Sequence, residues 1–126
     1  MTIFNLIQNK AAPSFCTSNI EVLKIIILYC KRKKLPCLIE STSNQVNQYG
    51  GYSGLNPFQF VKKLKNLAKL IKLKKNSMII GGDHLGPLPW KNLSSVKALE
   101  NSKILIKDCL KAKYNKIHID TAVICQ

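Results

Sequence analysis

Met78-Ile79-Ile80-Gly81-Gly82-Asp83-His84-Leu85-Gly86-Pro87 is the stretch that decides how this chain folds. A short apolar run of this kind reads as a buried strand, and the glycines after it read as its end. An Asp-His pair follows at once, fenced by Gly86 and Pro87. The segment therefore looks like a strand that delivers polar groups to an open rim. The chain has only 6 acidic residues. Three of them, Glu40, Asp83 and Asp120, fall where a predicted apolar strand stops. Scarce carboxylates at equivalent points of successive units point to a site.

Working outward, strands and helices alternate. Residues Ala11 to Thr17 read as a short strand, and Ser18 or Asn19 caps the helix that follows. Ile20, Leu23, Ile27 and Cys30 repeat at helical spacing, the basic run Lys31-Arg32-Lys33-Lys34 suits a helix C-terminus, and Pro36 ends it. Cys37-Leu38-Ile39-Glu40 is the second strand. A long amide- and glycine-rich loop, Ser41 to Gly54, comes next; its length and two tyrosines favour an ordered binding loop. Asn56-Pro57 opens a helix with the stripe Phe60, Leu64, Leu67, Ala68 and Ile71. After the quoted segment and Trp90, a helix is expected from Ser94 or Ser95 through Lys113, burying Val96, Leu99, Ile104 and Leu105. Lys116-Ile117-His118-Ile119-Asp120 is the fourth strand.

This order implies parallel β/α units with right-handed crossovers. The repeat of about 40 residues suits a (β/α)8 TIM barrel or an open doubly wound sheet. No GxGxxG or P-loop follows any strand, which weighs against nucleotide binding. A full barrel needs ~250 residues. The expectation is thus an α/β chain of 126 residues forming about the first half of a barrel, four parallel strands and three helices, as one incomplete domain.

Composition narrows the function classes. The apolar fraction of 46% is enough for a core. The five cysteines include no CxxC pair, so they are read as reduced thiols in a cytoplasmic protein. The N-terminus shows no signal peptide, and the longest apolar run, Val22 to Cys30, is broken by Lys24 and too short to span a bilayer. The net charge of +14 invites a nucleic-acid reading, but Arg32 is the only arginine, and without arginine bidentate base contacts are lost. Neither nucleic acid nor a membrane is expected as partner. The lysine runs are read as solvated helix faces.

In a β/α barrel the strand C-termini and the loops after them build the active site. Glu40, Asn44, Gln45, Asn47, Gln48, Asp83, His84 and Asp120 all fall at that end. Asp83 suits proton transfer and His84 metal ligation; a turn-capping aspartate beside a loop histidine is an equal reading. His118 shares a strand face with Asp120, one layer deeper. A catalytic zinc takes three protein ligands, and with His84 and His118 the only histidines no complete internal metal site is expected. The amide loop suits a polyhydroxylated ligand or bonds to itself. Trp90 is read as a packing anchor.

Four segments together resemble the Z-type subunit family of tagatose-1,6-bisphosphate aldolase, GatZ/KbaZ: Leu38 to Gly54, Gly81 to Pro87 with Trp90, Lys116 to Asp120, and more weakly Ser14 to Asn19. The resemblance covers nearly the whole chain but only the N-terminal part of the family's chain. It implies a class II aldolase-like barrel and a place in galactitol, N-acetylgalactosamine or tagatose catabolism. It also implies a companion role, stabilising a separate catalytic Y-type subunit, alongside or instead of self-association. Asp83 would then match the proton-transferring aspartate and His84 a zinc ligand, with a sugar phosphate as ligand; Asp120 is a second catalytic candidate from its place at a strand end. The missing later strands imply a truncated chain with little activity of its own. A metal-dependent aldolase assembled from two half barrels, and a basic nucleic-acid-binding domain, are the alternatives.

Overall fold

The structure, a computed structural model, describes residues 13–122 and residue 125. Four strands alternate with three helices: β1 (Ser14–Cys16), α1 (Ile20–Lys33), β2 (Cys37–Ser41), α2 (Pro57–Leu70), β3 (Met78–Leu85), α3 (Ser95–Lys111) and β4 (Lys116–Ile119). A 3-10 turn at Leu88–Trp90 lies between β3 and α3. All three strand pairs are parallel and the order is β1-β2-β3-β4. A doubly wound sheet reverses its strand order part-way. This sheet does not; it steps in one direction, as a barrel wall does. Of the first predicted strand, residues 11 and 12 lie outside the described residues.

Local chemistry starts and stops the helices as expected. The Asn19 side chain accepts from the Glu21 and Val22 amides, and Lys34 closes α1 in the left-handed conformation. Asn56 and Gln59 form a reciprocal capping box at the start of α2, with Pro57 behind it. The third helix differs from expectation. It ends at Lys111, and Ala98, Ser102, Leu105 and Cys109 are its buried residues, whereas Val96, Leu99 and Ile104 are exposed. The apolar residues of α3 surround it, so spacing alone could not tell which stripe the sheet would take.

The core lies between the helices and one face of the sheet. Leu23, Ile27, Phe60, Leu64 and Leu105 from the helices pack with Cys37, Ile39 and Ile80 from the strands, and Phe15 and Ile117 join at the margin. Alternation along each strand sends the remaining residues to the opposite face. Ser14, Cys16, Leu38, Glu40, Ile79, Gly81, Lys116 and His118 line that second, concave side. Among the described residues no helix is long and apolar enough to cross a membrane. The five cysteines are all free thiols.

Candidate functional site

The glycines in the deciding segment do not end the strand. β3 runs on through Asp83 and His84 to Leu85. The ladder to β4 shows why the polar pair fits. Gly82 pairs with Ile117 and Leu85 with Ile119, so Asp83 and His84 together face the single residue His118. Two residues against one is a β-bulge, which bends the strand and re-aims side chains. His84 carries the irregularity at φ +49, in the left-handed region that favours glycine. In a regular strand Asp83 and His84 would point to opposite faces. Here both imidazoles reach the same carboxylate oxygen.

Asp83 Oδ1 lies 2.9 Å from His118 Nδ1 and 3.1 Å from His84 Nδ1. The two rings meet edge-on, with centroids 4.5 Å apart. The histidine side chains are 59% and 44% exposed, the aspartate 24%. Burial works to raise the Asp83 carboxyl, but the bonds from His118 and His84 and the charges of His84 and Lys116 outweigh it. Its pKa is held below the ordinary carboxylate range. The ligand atoms of Asp83, His84 and His118 all lie within 4.8 Å of one another. Two imidazoles and one carboxylate suit a divalent transition metal. The sequence offered no obvious third ligand; the bulge supplies it by bringing Asp83 into the set.

One layer below the rim, Cys16, Glu40, Gly81 and Lys116 are in register across all four strands. Glu40 is not a rim carboxylate. It is 2% exposed, accepts a hydrogen bond from Ser14 Oγ and forms an ion pair with Lys116 Nζ. Gly81 makes room for it: a Cβ there would sit 2.6 Å from Glu40 Oε1. The Cys16 thiol, in the same layer, is pushed up to about 11, first by partial burial and then by the Asp83 and Glu40 charges.

The long loop is internally wired. Asn47 donates from Nδ2 to the Ser43 carbonyl at 2.8 Å, and its Oδ1 accepts from the Tyr49 and Gly51 amides. Gly51 has φ +55, and a side chain there would strike the Gln45 carbonyl. Gln45 Oε1 accepts from the Thr42 amide at 2.9 Å and from the Cys16 thiol at 3.6 Å. Gln48 Nε2 and the Tyr49 hydroxyl both bond to Asn101 on α3, and Tyr49 packs edge-on against the buried Trp90. Ser43 Oγ donates to the His84 carbonyl at 3.3 Å, so the loop also braces the bulge. Among the described residues the Asn44 side chain has no hydrogen bond.

Asp120 lies just past β4. Its side chain accepts from the Ala122 amide at 2.9 Å, and its backbone approaches Gly86 so closely that a Cβ on Gly86 would lie 2.6 Å from the Asp120 carbonyl oxygen. The structure therefore brings Asp83, His84 and His118 together, seats Glu40 beneath them, and leaves Asp120 outside that cluster. Lys116, Ser14 and Cys16 were missing from the candidate set, and His118 was placed on a face with Asp120 without being assigned to the site. The alternation in Lys116-Ile117-His118 carried the signal, since it puts the lysine and the histidine on one face.

The sequence profile of the family described as D-tagatose-1,6-bisphosphate aldolase subunit GatZ/KbaZ-like matches residues 5–126. The chain belongs to that family. A solved structure with the same fold is a probable tagatose 6 phosphate kinase from Sinorhizobium meliloti 1021, 39% identical, with a TM-score of 0.87. The match covers 92% of this chain and 30% of that one. The four strands and three helices are thus the barrel-type α/β arrangement of this family, and the chain spans less than a third of the solved chain it matches.

Proposed function

We propose that this chain is the N-terminal half barrel, residues 1–126, of a companion subunit of tagatose-1,6-bisphosphate aldolase. In this reading it stabilises a catalytic Y-type subunit in the cytoplasm and adds little turnover of its own. The observation that carries the reading is how the amide loop spends its side chains. Gln45, Asn47 and Gln48, the residues best suited to a sugar phosphate, hold the loop, β1 and α3 together instead. Among the described residues the Asn44 side chain has no hydrogen bond and Gln48 Oε1 is buried without a partner, and Glu40 is already engaged by Lys116. A rigid, braced mouth suits a protein that supports a neighbour.

The Asp83 cluster favours a second reading, a metal-dependent aldolase assembled from two half barrels. Asp83, ionised and aligned by two imidazoles, has the form of a base that takes a proton from carbon beside a carbonyl. His84 would hold zinc, which supplies carbonyl polarisation when bound. Asp120, on the next strand end, would act as the second carboxylate.

The test is aldol cleavage of tagatose 1,6-bisphosphate with zinc present, by this chain, by a Y-type subunit, and by both. The expected result is no turnover by the chain alone and a longer thermal half-life of the Y-type activity when it is added. Robust turnover by the chain alone, abolished by Asp83→Asn, would replace the companion reading with the aldolase one.

A further inference from the structure

We infer that a lysine-edged groove at the N-terminal end of the sheet is a protein-docking surface, and that it seats an acidic segment of the Y-type subunit carrying an apolar side chain. The inference rests on the companion reading and adds to it a place and a chemistry.

Position is the first argument. Leu35 and Pro36 lead into β2 at Cys37, and residues 73–77 lead into β3 at Met78. The two approaches are tied together. The Cys37 amide donates to the Ser77 carbonyl at 2.8 Å, and Lys31 Nζ donates to the Ile71 carbonyl at 2.6 Å. Both approaches line a cavity of about 660 Å³. It lies at the opposite end of the strands from Asp83. In β/α barrels the chemistry is at the C-terminal end of the strands. A partner seated at the N-terminal end therefore leaves the rim open.

Chemistry is the second. Cys30, Leu35, Pro36 and Leu73 give the groove an apolar lining, and the exposed Lys31, Lys34, Lys74 and Lys75 stand around it. None of the chain's 6 acidic residues lines it. Among the described residues Lys34, Lys74 and Lys75 form no ion pair. Carboxylates from another molecule would offset this crowding of like charge. An apolar centre inside a charged rim is the anatomy of a protein interface. A small-ligand pocket differs, since a few buried polar groups converge on its ligand. Here the lysines and Asn76 are exposed and Ser77 is half-buried.

The third is placement. Cations in the last turn of a helix are favoured by its free carbonyls, which accounts for Lys31. Lys74 and Lys75 lie beyond the end of α2 at Leu70, so that account does not extend to them. Lys34 and Lys72 follow α1 and α2 at φ +54 and +56, in the left-handed region where glycine is the favoured residue. Lysine at both positions accepts a backbone cost that glycine avoids, and it sets a cation beside the groove at each helix end.

The experiment is binding of the 126-residue chain to a Y-type subunit by surface plasmon resonance, at low and at physiological salt. The combined variant Lys34→Gln, Lys74→Gln, Lys75→Gln should weaken affinity about 10-fold, mostly through a slower association rate, and flatten the salt dependence. Leu35→Ala should instead speed dissociation. A charge-matched control on the exposed face of α2, Lys62→Gln, Lys63→Gln, Lys65→Gln, should leave affinity nearly unchanged. Circular dichroism checks that each variant is folded. Binding that survives the groove variant overturns the inference and leaves the companion reading standing. Equal losses in the two triple variants reduce the effect to net charge and also overturn it. Inorganic triphosphate held by the same lysines, with no effect on Y-type binding, reassigns the groove to small anions. A wild-type chain that does not bind the Y-type subunit ends both readings.

Discussion

The two faces of one sheet follow different rules. On the helix side Ile39 and Ile80 are buried against Phe60, Leu64 and Leu105, and burial itself is the stabilising act. On the concave side Glu40 is as deeply buried as Ile39, yet it stays there only because Ser14 and Lys116 satisfy it. All five residues of β2 are buried, so exposure does not separate the faces; chemistry does. The helix face makes the fold, and the concave face holds charges in place for chemistry at the rim. The lesson is that a fully buried strand can carry a carboxylate beside the apolar Leu38 on the face away from the helices, provided that the carboxylate is paired.

The difference breaks most visibly at Phe60. Phe60→Ala should cost roughly 3–5 kcal/mol, much of the stability of a small domain, as measured by urea denaturation. Removing one partner from the concave face comes next. Lys116→Met leaves Glu40 buried without its cation and should cost about 3 kcal/mol, whereas Glu40→Leu combined with Lys116→Met should recover most of that loss. Non-recovery would mean that the concave face, like the helix face, depends on shape more than charge. Gly81→Ala sharpens the point. Its methyl presses on a carboxylate held from two sides and should cost about 1–3 kcal/mol, less in a Glu40→Ala background.

Two smaller effects read the electrostatics. The Cys16 thiol, raised to about 11, should alkylate slowly at pH 8, and Asp83→Asn should speed it by removing the second of its causes. The smallest effect is acid-linked. Asp83 has a depressed folded pKa, so its contribution to stability is present above its unfolded value near 4 and is lost as pH falls through the folded value. In chelator-treated protein, wild type and Asp83→Asn should therefore differ in stability at pH 6 and converge as pH falls through the folded Asp83 value.

Much of the helix side was legible in advance. Asn19, Asn56-Pro57 and Pro36 mark boundaries because capping and proline act within a few residues. The stripe of α2 was readable because its polar face is well filled with lysine, whereas α1 leaves Val22, Ile25, Leu28 and Tyr29 exposed beside its buried stripe. The stripe of α3 was not readable, because Val96, Leu99 and Ile104 offered an equally regular alternative that only the packed sheet rejects. On the concave side, Asp83 and His84 stood out by composition. Their partner His118 did not, because pairing 34 and 35 residues away is set by strand register.

Sequence by itself determined the alternation of strands and helices, the parallel sheet and the rim on which Asp83 and His84 sit, since hydrophobic period and turn chemistry are local properties. Tertiary structure alone decided that Gly81 and Gly82 continue the strand, that a bulge turns Asp83 and His84 onto His118, and that Glu40 sinks to meet Lys116. Register across strands depends on the whole sheet packing at once, and no single segment carries that information.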